Sequence, residues 1–477
     1  MKQAVAALVA GLALFAACVC AWPQEAMLAP PDNHFFVGKA SWGQPFADQW
    51  GLRRIGFDDS PGSAWRLIKR DAQPVIVAVI DTGLDWYHTN IDPQNIWTNA
   101  KEVADNGLDD DHNGYVDDIM GWDFIDRDNR PWDYDGHGTL IAGIIAGSWK
   151  DPNGMAGVNP FARLMILKAI NNFGHTRASF VAEAIAYAAD NGARVINLSV
   201  GGKETITTIE QAAVDYAYAK GVVIVVAAGN EAADISQYGI ATSDKVLTVA
   251  ASGLDDQRAS FSNWGKIAVT APGVDILSMR ARRTDVMLGI GEGKYAAGSA
   301  FVGDDKRHYR ASGTSFAAPF VAGLASLMIG NDPTLTNAQV MNIIKSTARD
   351  VGTPGVDQYT GYGIVDAVAA LKAPKDYYLL AGINRVEVVQ KGGAQAVRVH
   401  GTAAANAMKS ADIEIAQGET PKEWTRVGAA QKSEGADGVL GDIPAARLKG
   451  AKVWQIRVLV EHDNGSKREA RFKLTVG

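Results

Sequence analysis

Cysteine is nearly missing from this chain: two residues in 477, Cys18 and Cys20, both within the first 22 positions. That excludes a disulfide framework and any cysteine-rich metal centre. Excess positive charge is missing too. Lys and Arg number 46 against 53 Asp and Glu, a net charge of −7, so no global basic field recruits nucleic acid. No internal repeat and no low-complexity tract interrupts the chain. The opening run, MKQAVAALVAGLALFAACVCAWPQEA, has one Lys, an apolar stretch and then small residues. It is too short and too weakly flanked for a membrane span and has the outline of a secretory signal peptide over residues 1–22. Cleavage after Ala21 leaves a mature chain without cysteine. The alternative is a lipid anchor at Cys18 through FAAC, with Phe15 where lipoprotein signals usually carry Leu.

What remains is ordinary for a soluble globular protein, 47% apolar and 21% charged, and long enough for more than one domain. Residues 23–49 lack periodicity and read as an N-terminal arm. From Gln73 onward, apolar strands alternate with amphipathic helices. PVIVAVID, ARLMILKAI, ARVINLSV, VVIVVAAGN and KVLTVAAS are strand runs. GTLIAGIIAG, ASFVAEAIAYAADNG (ended by Gly192), IEQAAVDYAYAKG, TSFAAPFVAGLASLMIG and TNAQVMNIIKSTARD are helical. Such alternation predicts an α/β domain over residues 50–373: a mostly parallel sheet with helices on both faces. After KAPKD the pattern changes to short alternating runs divided by Gly, Asn and Asp, with a hairpin signal at HDNG. Residues 374–477 therefore read as a small all-β sandwich.

Three polar residues stand at the ends of apolar elements. Asp81 closes VIVAVID, His137 opens a helix in DYDGHGTLIAG, and Ser315 opens another in ASGTSFAAPFVAG. Alone, Ser315 is most simply a helix N-cap. In a parallel sheet, however, strand C-termini and helix N-termini converge on one edge. A serine hydroxyl becomes a nucleophile when an imidazole removes its proton and a carboxylate holds that imidazole. Asn230, at the end of VVIVVAAGN, offers an amide N–H to a developing oxyanion, beside the backbone N–H of Ser315.

The strings VIDTGLD, DGHGTLIAG, INLSVGG, VVAAGN, TAPGVDILS and GTSFAAPFVAG resemble subtilisin-family serine proteases from about Trp50 to Leu371. The resemblance implies a serine endopeptidase. In it Asp81 orients, His137 is general base and acid, Ser315 is the nucleophile and Asn230 the oxyanion donor. It also implies that Ser199, Val200 and Gly201, with Ala227, Ala228 and Gly229, line the first substrate pocket. The order Asp, His, Ser argues against a lipase-like hydrolase, which would carry Gly-x-Ser-x-Gly and the order Ser, Asp, His. The rival from another class is a catalytically silent scaffold that displays the C-terminal module. That module loosely resembles fibronectin- or immunoglobulin-like domains, which would bind a surface or a polymer.

Between the aspartate and histidine motifs runs NGLDDDHNGYVDD. Asp109, Asp111, Asn113 and Gly114 reproduce the first half of an EF-hand-like loop. Asp117 or Asp118 and the Tyr115 carbonyl stand in for its closing Glu. A bare acidic loop would repel itself, so a structural Ca2+ is expected, and it would supply rigidity that disulfides cannot. Segment 279–311, with RARR and DDKRH, reads as a specificity loop, an autolysis site or a plain surface insertion. The expected partners are protein or peptide substrates, and the expected location is outside the cell or in its envelope.

Overall fold

A computed structural model describes residues 28–199, 201–282 and 299–476. The signal-peptide region with Cys18 and Cys20, Val200, and residues 283–298 of the 279–311 segment lie outside the described residues.

Seven strands form one parallel sheet: β1 (Ile76–Asp81), β2 (Gly121–Asp123), β3 (Arg163–Lys168), β4 (Val195–Leu198), β5 (Val223–Ala227), β6 (Val246–Ser252) and β7 (Val269–Pro272). Their order is β2-β3-β1-β4-β5-β6-β7. β1 runs beside β3 on one side and β4 on the other, with Asp81 level with Lys168. The strand order thus reverses at β1, and a site is favoured beyond the carboxyl ends of the strands at such a switch point. Asp81 is the last residue of that strand.

The apolar runs form strands because both faces are covered. Val77 and Val79 enter the core shared with helices His137–Ala146 and Thr314–Asn331. Ala78 and Ile80 enter the core beneath helices Ala178–Asp190 and Thr208–Ala219. Thr207 with Glu210, and Thr336 with Gln339, close capping boxes at two helix starts. Among the described residues one helix, Thr314–Asn331, is long and apolar enough to cross a membrane, but its residues are buried in the core. Ahead of it, β8 (Ile276–Met279), β9 (Phe301–Val302) and β10 (His308–Ala311) form a small antiparallel sheet. The arm that looked aperiodic is stitched in: Phe35 and Phe36 are buried, and Asn33 donates to Trp149 O at 3.2 Å.

The C-terminal region forms two antiparallel sheets from β11 (Leu379–Lys391), β12 (Ala394–Ala405), β13 (Met408–Gln417), β14 (Thr425–Ala429), β15 (Ser433–Pro444), β16 (Val453–His462) and β17 (Lys467–Thr475). Their orders are β11-β12-β15 and β14-β13-β16-β17, and they share a separate core that includes Val399, Ile413, Ile456 and Val458. HDNG supplies the β16–β17 turn, with Gly465 at φ +87°. This region docks through Arg468, which donates to Ser346 O at 2.8 Å, Ala348 O at 3.0 Å and Tyr362 O at 3.0 Å. The guanidinium thereby caps carbonyls at the C-terminus of helix Asn337–Thr347, the end at which a cation is favoured.

Candidate active site

The carboxylate and the imidazole meet as the chain order suggested. His137 Nδ1–H donates to Asp81 Oδ1 at 2.7 Å, and the Thr82 backbone N–H donates to the same oxygen at 2.8 Å. Asp81 is 1% exposed, and its Oδ2 has no hydrogen-bond partner among the described residues. The imidazole starts helix His137–Ala146 after Gly136, whose φ of +108° turns the chain into the helix. Gly138 lets the helix press against β1's exit: a Cβ there would lie 2.2 Å from Gly83 O.

A second carboxylate ties these pieces together. Asp133, fully buried, accepts from Thr82 Oγ1 (2.9 Å), Asp135 N (3.0 Å), Gly136 N (2.7 Å), Thr139 N (2.9 Å) and Thr139 Oγ1 (2.6 Å). Thr82 Oγ1 in turn accepts from Gly138 N at 2.9 Å. Sequence reasoning passed over Asp133. Its signal was an acid four residues before the histidine, where helix N-terminal amides need an acceptor.

Ser315 occupies the first turn of helix Thr314–Asn331. Its Oγ donates to Ser199 O at 3.2 Å, so in this conformer the hydroxyl is engaged by a carbonyl and not by the imidazole. The imidazole meets this helix at the ring of Phe316, with centroids 5.5 Å apart. Asn230 is held by the residue before the serine. Thr314 N and Thr314 Oγ1 both donate to Asn230 Oδ1, at 2.8 and 3.0 Å. With its oxygen occupied, the amide must turn its N–H2 group outward, towards Gly313 and the start of the helix.

Electrostatics favour a protonated imidazole. Burial alone would depress His137, but the charge and hydrogen bond of Asp81, with Asp135 and Asp133 behind it, raise it to about 8. Burial pushes Asp135 up to about 6; Asp133 and Asp81 add to the rise and His137 opposes it.

The two small-residue strips follow neighbouring parallel strands, β4 and β5. Ser199, Ala227 and Ala228 are buried, Gly201 is exposed, and Gly229 has φ +98°. Both strips reach the serine's helix: Ser199 Oγ donates to Ser315 O at 3.0 Å, and Gly229 N donates to Thr314 Oγ1 at 3.0 Å.

In the acidic loop the clustered carboxylates include Asp109 and Asp111. Ligand atoms of Glu102, Asp109 and Asp111 lie within 4.8 Å of one another, close enough to hold a metal ion. Glu102 was not foreseen; its Oε atoms also accept from Asp111 N (3.0 Å) and Asp117 N (3.1 Å). Asp117 accepts from Asn106 N and Gly107 N. Asp118 accepts from Asn99 Nδ2 at 2.9 Å, from Asn113 Nδ2 at 3.0 Å and from the Tyr187 hydroxyl. Tyr115 sends its ring against Trp122 and Tyr187 and its hydroxyl to Glu183.

Residues 72–363 match the subtilase family. The chain is 36% identical over 309 residues to the thermophilic serine proteinase of Bacillus sp. strain AK1, an alignment that covers 65% of this chain and 64% of that protein. It is 35% identical over 300 residues to subtilisin DY of Bacillus licheniformis (62% and 90%). To thermitase of Thermoactinomyces vulgaris it is 34% identical over 272 residues (57% and 87%). The chain thus spans less than two thirds of the first relative and most of the other two. Among solved structures, a protease of Pseudoalteromonas arctica PAMC 21717 superposes with a TM-score of 0.53 at 27% identity, covering 72% of this chain and 98% of that one.

Proposed function

The chain belongs to the subtilase family of serine proteases, and from that premise we propose that it is a secreted serine endopeptidase that works through Asp81, His137, Ser315 and Asn230. The observation that carries this reading is the 2.7 Å bond between buried Asp81 and the imidazole of His137, at the sheet's switch point. Ser315 Oγ attacks the peptide carbonyl while His137 Nε2 takes its proton, and Asp81 fixes the tautomer that makes this possible. The oxyanion is met by Asn230 Nδ2 and by the first-turn N–H of Ser315, which the helix itself does not use. His137 then gives its proton to the leaving amine as the C–N bond breaks, leaving an acyl ester on Ser315. Water, deprotonated by the same imidazole, releases the second product.

The strips at 199–201 and 227–229 flank the substrate's first residue and present backbone to an extended peptide. Glu102, Asp109 and Asp111 would hold a structural Ca2+, an ion suited to hard oxygen donors. Residues 50–373 form the catalytic unit, and the sandwich from residue 374 is fibronectin- or immunoglobulin-like and serves surface or polymer contact. The signal-like opening supports export.

Hydrolysis of casein or a labelled peptide, with parallel labelling by a serine-directed phosphonate, tests the reading. The parent is expected to cleave and to label, and Ser315→Ala to do neither. Equal activity in the two proteins would remove the protease assignment and leave the silent scaffold.

A further inference from the structure

The general base stands in an unfavourable place. His137 is the first residue of a ten-residue helix. The unpaired amides and aligned dipoles of a helix N-terminus disfavour a positive charge there. Yet the proposed reaction must form an imidazolium at that spot each time Ser315 loses its proton. Something in the fold has to offset the positive end.

Two carboxylates lie in the turn before the imidazole, and they divide the task unequally. Asp133 accepts from Gly136 N and Thr139 N as well as from Thr82 and Thr139 hydroxyls, so it holds the turn itself together. Asp135 is 4% exposed and accepts the backbone N–H of His137 at 3.1 Å. It therefore sits at the one amide that belongs to the base. The charged groups that bear on the imidazole are Asp81 from β1, and Asp135 and Asp133 from the turn. Among the described residues, those that bear on Asp135 are His137, Asp133 and Asp81.

We infer that Asp135 is a positioning residue for proton transfer: its carboxylate takes the His137 N–H and supplies the negative charge that lets an imidazolium form at a helix N-terminus. This rests on the reading of His137 as the base, but it concerns a residue outside the triad and the oxyanion donor. Asp81 fixes the ring's tautomer, and Asp135 biases its charge. The burial that raises Asp135 to about 6 leaves the group ionised at and above neutral pH, where it is needed.

Asp135→Asn separates charge from geometry, because a carboxamide oxygen still accepts the His137 N–H. The measurement is an NMR titration of the His137 ring nitrogens in 15N-histidine-labelled protein carrying Ser315→Ala, which reads the imidazole whether or not the protein cleaves peptides. Removing one nearby charge is expected to weaken proton binding at His137 by about threefold to tenfold. Asp135→Glu is expected to restore most of it. The kcat/KM profile of the otherwise intact enzyme should move to lower pH by the same factor in Asp135→Asn. A His137 midpoint in Asp135→Asn that matches the parent overturns the inference. So does an equal shift in Asp135→Asn and Asp135→Glu, which would mark a packing effect. Failure of the protease reading would show elsewhere, as peptide cleavage indifferent to Ser315→Ala.

Discussion

Ser199 and Ser315, 116 residues apart, exchange two hydrogen bonds: Ser199 Oγ donates to Ser315 O at 3.0 Å and Ser315 Oγ donates to Ser199 O at 3.2 Å. The first bond has a cause inside the helix. Pro319 lies four residues after Ser315 and has no N–H, so the carbonyl of Ser315 loses its helical partner. Ser199 replaces it. The carbonyl is buried, and leaving it unpaired costs about 1–3 kcal/mol. Ser199→Ala should therefore destabilise the protein by about that amount. In a Pro319→Ala background the restored N–H of residue 319 can pair with the same carbonyl, and the cost of Ser199→Ala should shrink. Denaturant unfolding of the four proteins, all carrying Ser315→Ala to prevent self-digestion, checks this. If Ser199→Ala costs the same in both backgrounds, Pro319 is not the reason for the bond.

The pH profile follows from the sign of one shift. His137 is raised to about 8, and as the proposed base it works only when neutral. Activity should therefore be low near pH 6 and climb as pH rises through about 8. The stability linked to the same proton runs the other way. It is fully present below the unfolded value of about 6.5 and is lost as pH rises through about 8. Measuring kcat/KM with a neutral peptide from pH 5.5 to 10 checks the first, and melting temperature in the Ser315→Ala protein checks the second. A plateau already reached at pH 6 would contradict the environment described for the imidazole.

Thr314 and Asn230 make a graded pair. Asn230→Ala removes the proposed oxyanion donor, and for subtilisin itself the loss of one such side chain costs about 10²–10³ in kcat. A loss of that order is expected, with KM little changed. Thr314→Val removes the hydroxyl's bond to Asn230 Oδ1 and the one it accepts from Gly229 N, and keeps the backbone bond to Asn230. Its effect on kcat should be smaller, about tenfold, because the amide is less firmly aimed but still present. Steady-state kinetics on both variants decides it. A Thr314→Val enzyme as impaired as Asn230→Ala would mean that the hydroxyl does more than orient the amide.

The parts legible in the sequence were those written in local pattern. Continuous apolar runs marked five of the seven parallel strands, the short edge strands β2 and β7 escaping notice, and Gly192 marked the end of its helix at φ +81°. HDNG gave the hairpin. β15, SEGADGVLGDIP, was missed because its Gly and Asp residues read as turn chemistry; pairing with β12 overrides that. The anchoring of the arm read over residues 23–49 was not legible for a related reason, since Phe35 and Phe36 are held by tertiary packing and not by any repeat. At the site, the three ends of Asp81, His137 and Ser315 were readable, but the links between elements were not. Asp133, Thr314 and the Ser199–Pro319 relation depend on which residues the topology places side by side. Glu102 lies seven residues ahead of Asp109, outside any loop spacing that runs forward from it.

That unforeseen glutamate yields the sharpest test of the metal. Glu102, Asp109 and Asp111 are held within 4.8 Å by the loop's own amide bonds. Three carboxylates so placed repel one another unless a cation lies between them. Bound Ca2+ at about a hundred times its dissociation constant stabilises a fold by about 2.7 kcal/mol. For a domain of this size each kcal/mol is worth about 2–4 °C, so a chelator should lower the melting temperature by about 5–10 °C. Glu102→Gln is expected to cross over. It should melt below the parent in calcium, because a ligand is lost, and at or above the parent in chelator, because a repulsive charge is gone while the amide oxygen still accepts from Asp111 N. A simple structural role for Glu102 would lower the melting temperature under both conditions. A parent whose melting ignores chelator would leave the cluster without its cation and remove calcium from the account of how this chain stays rigid.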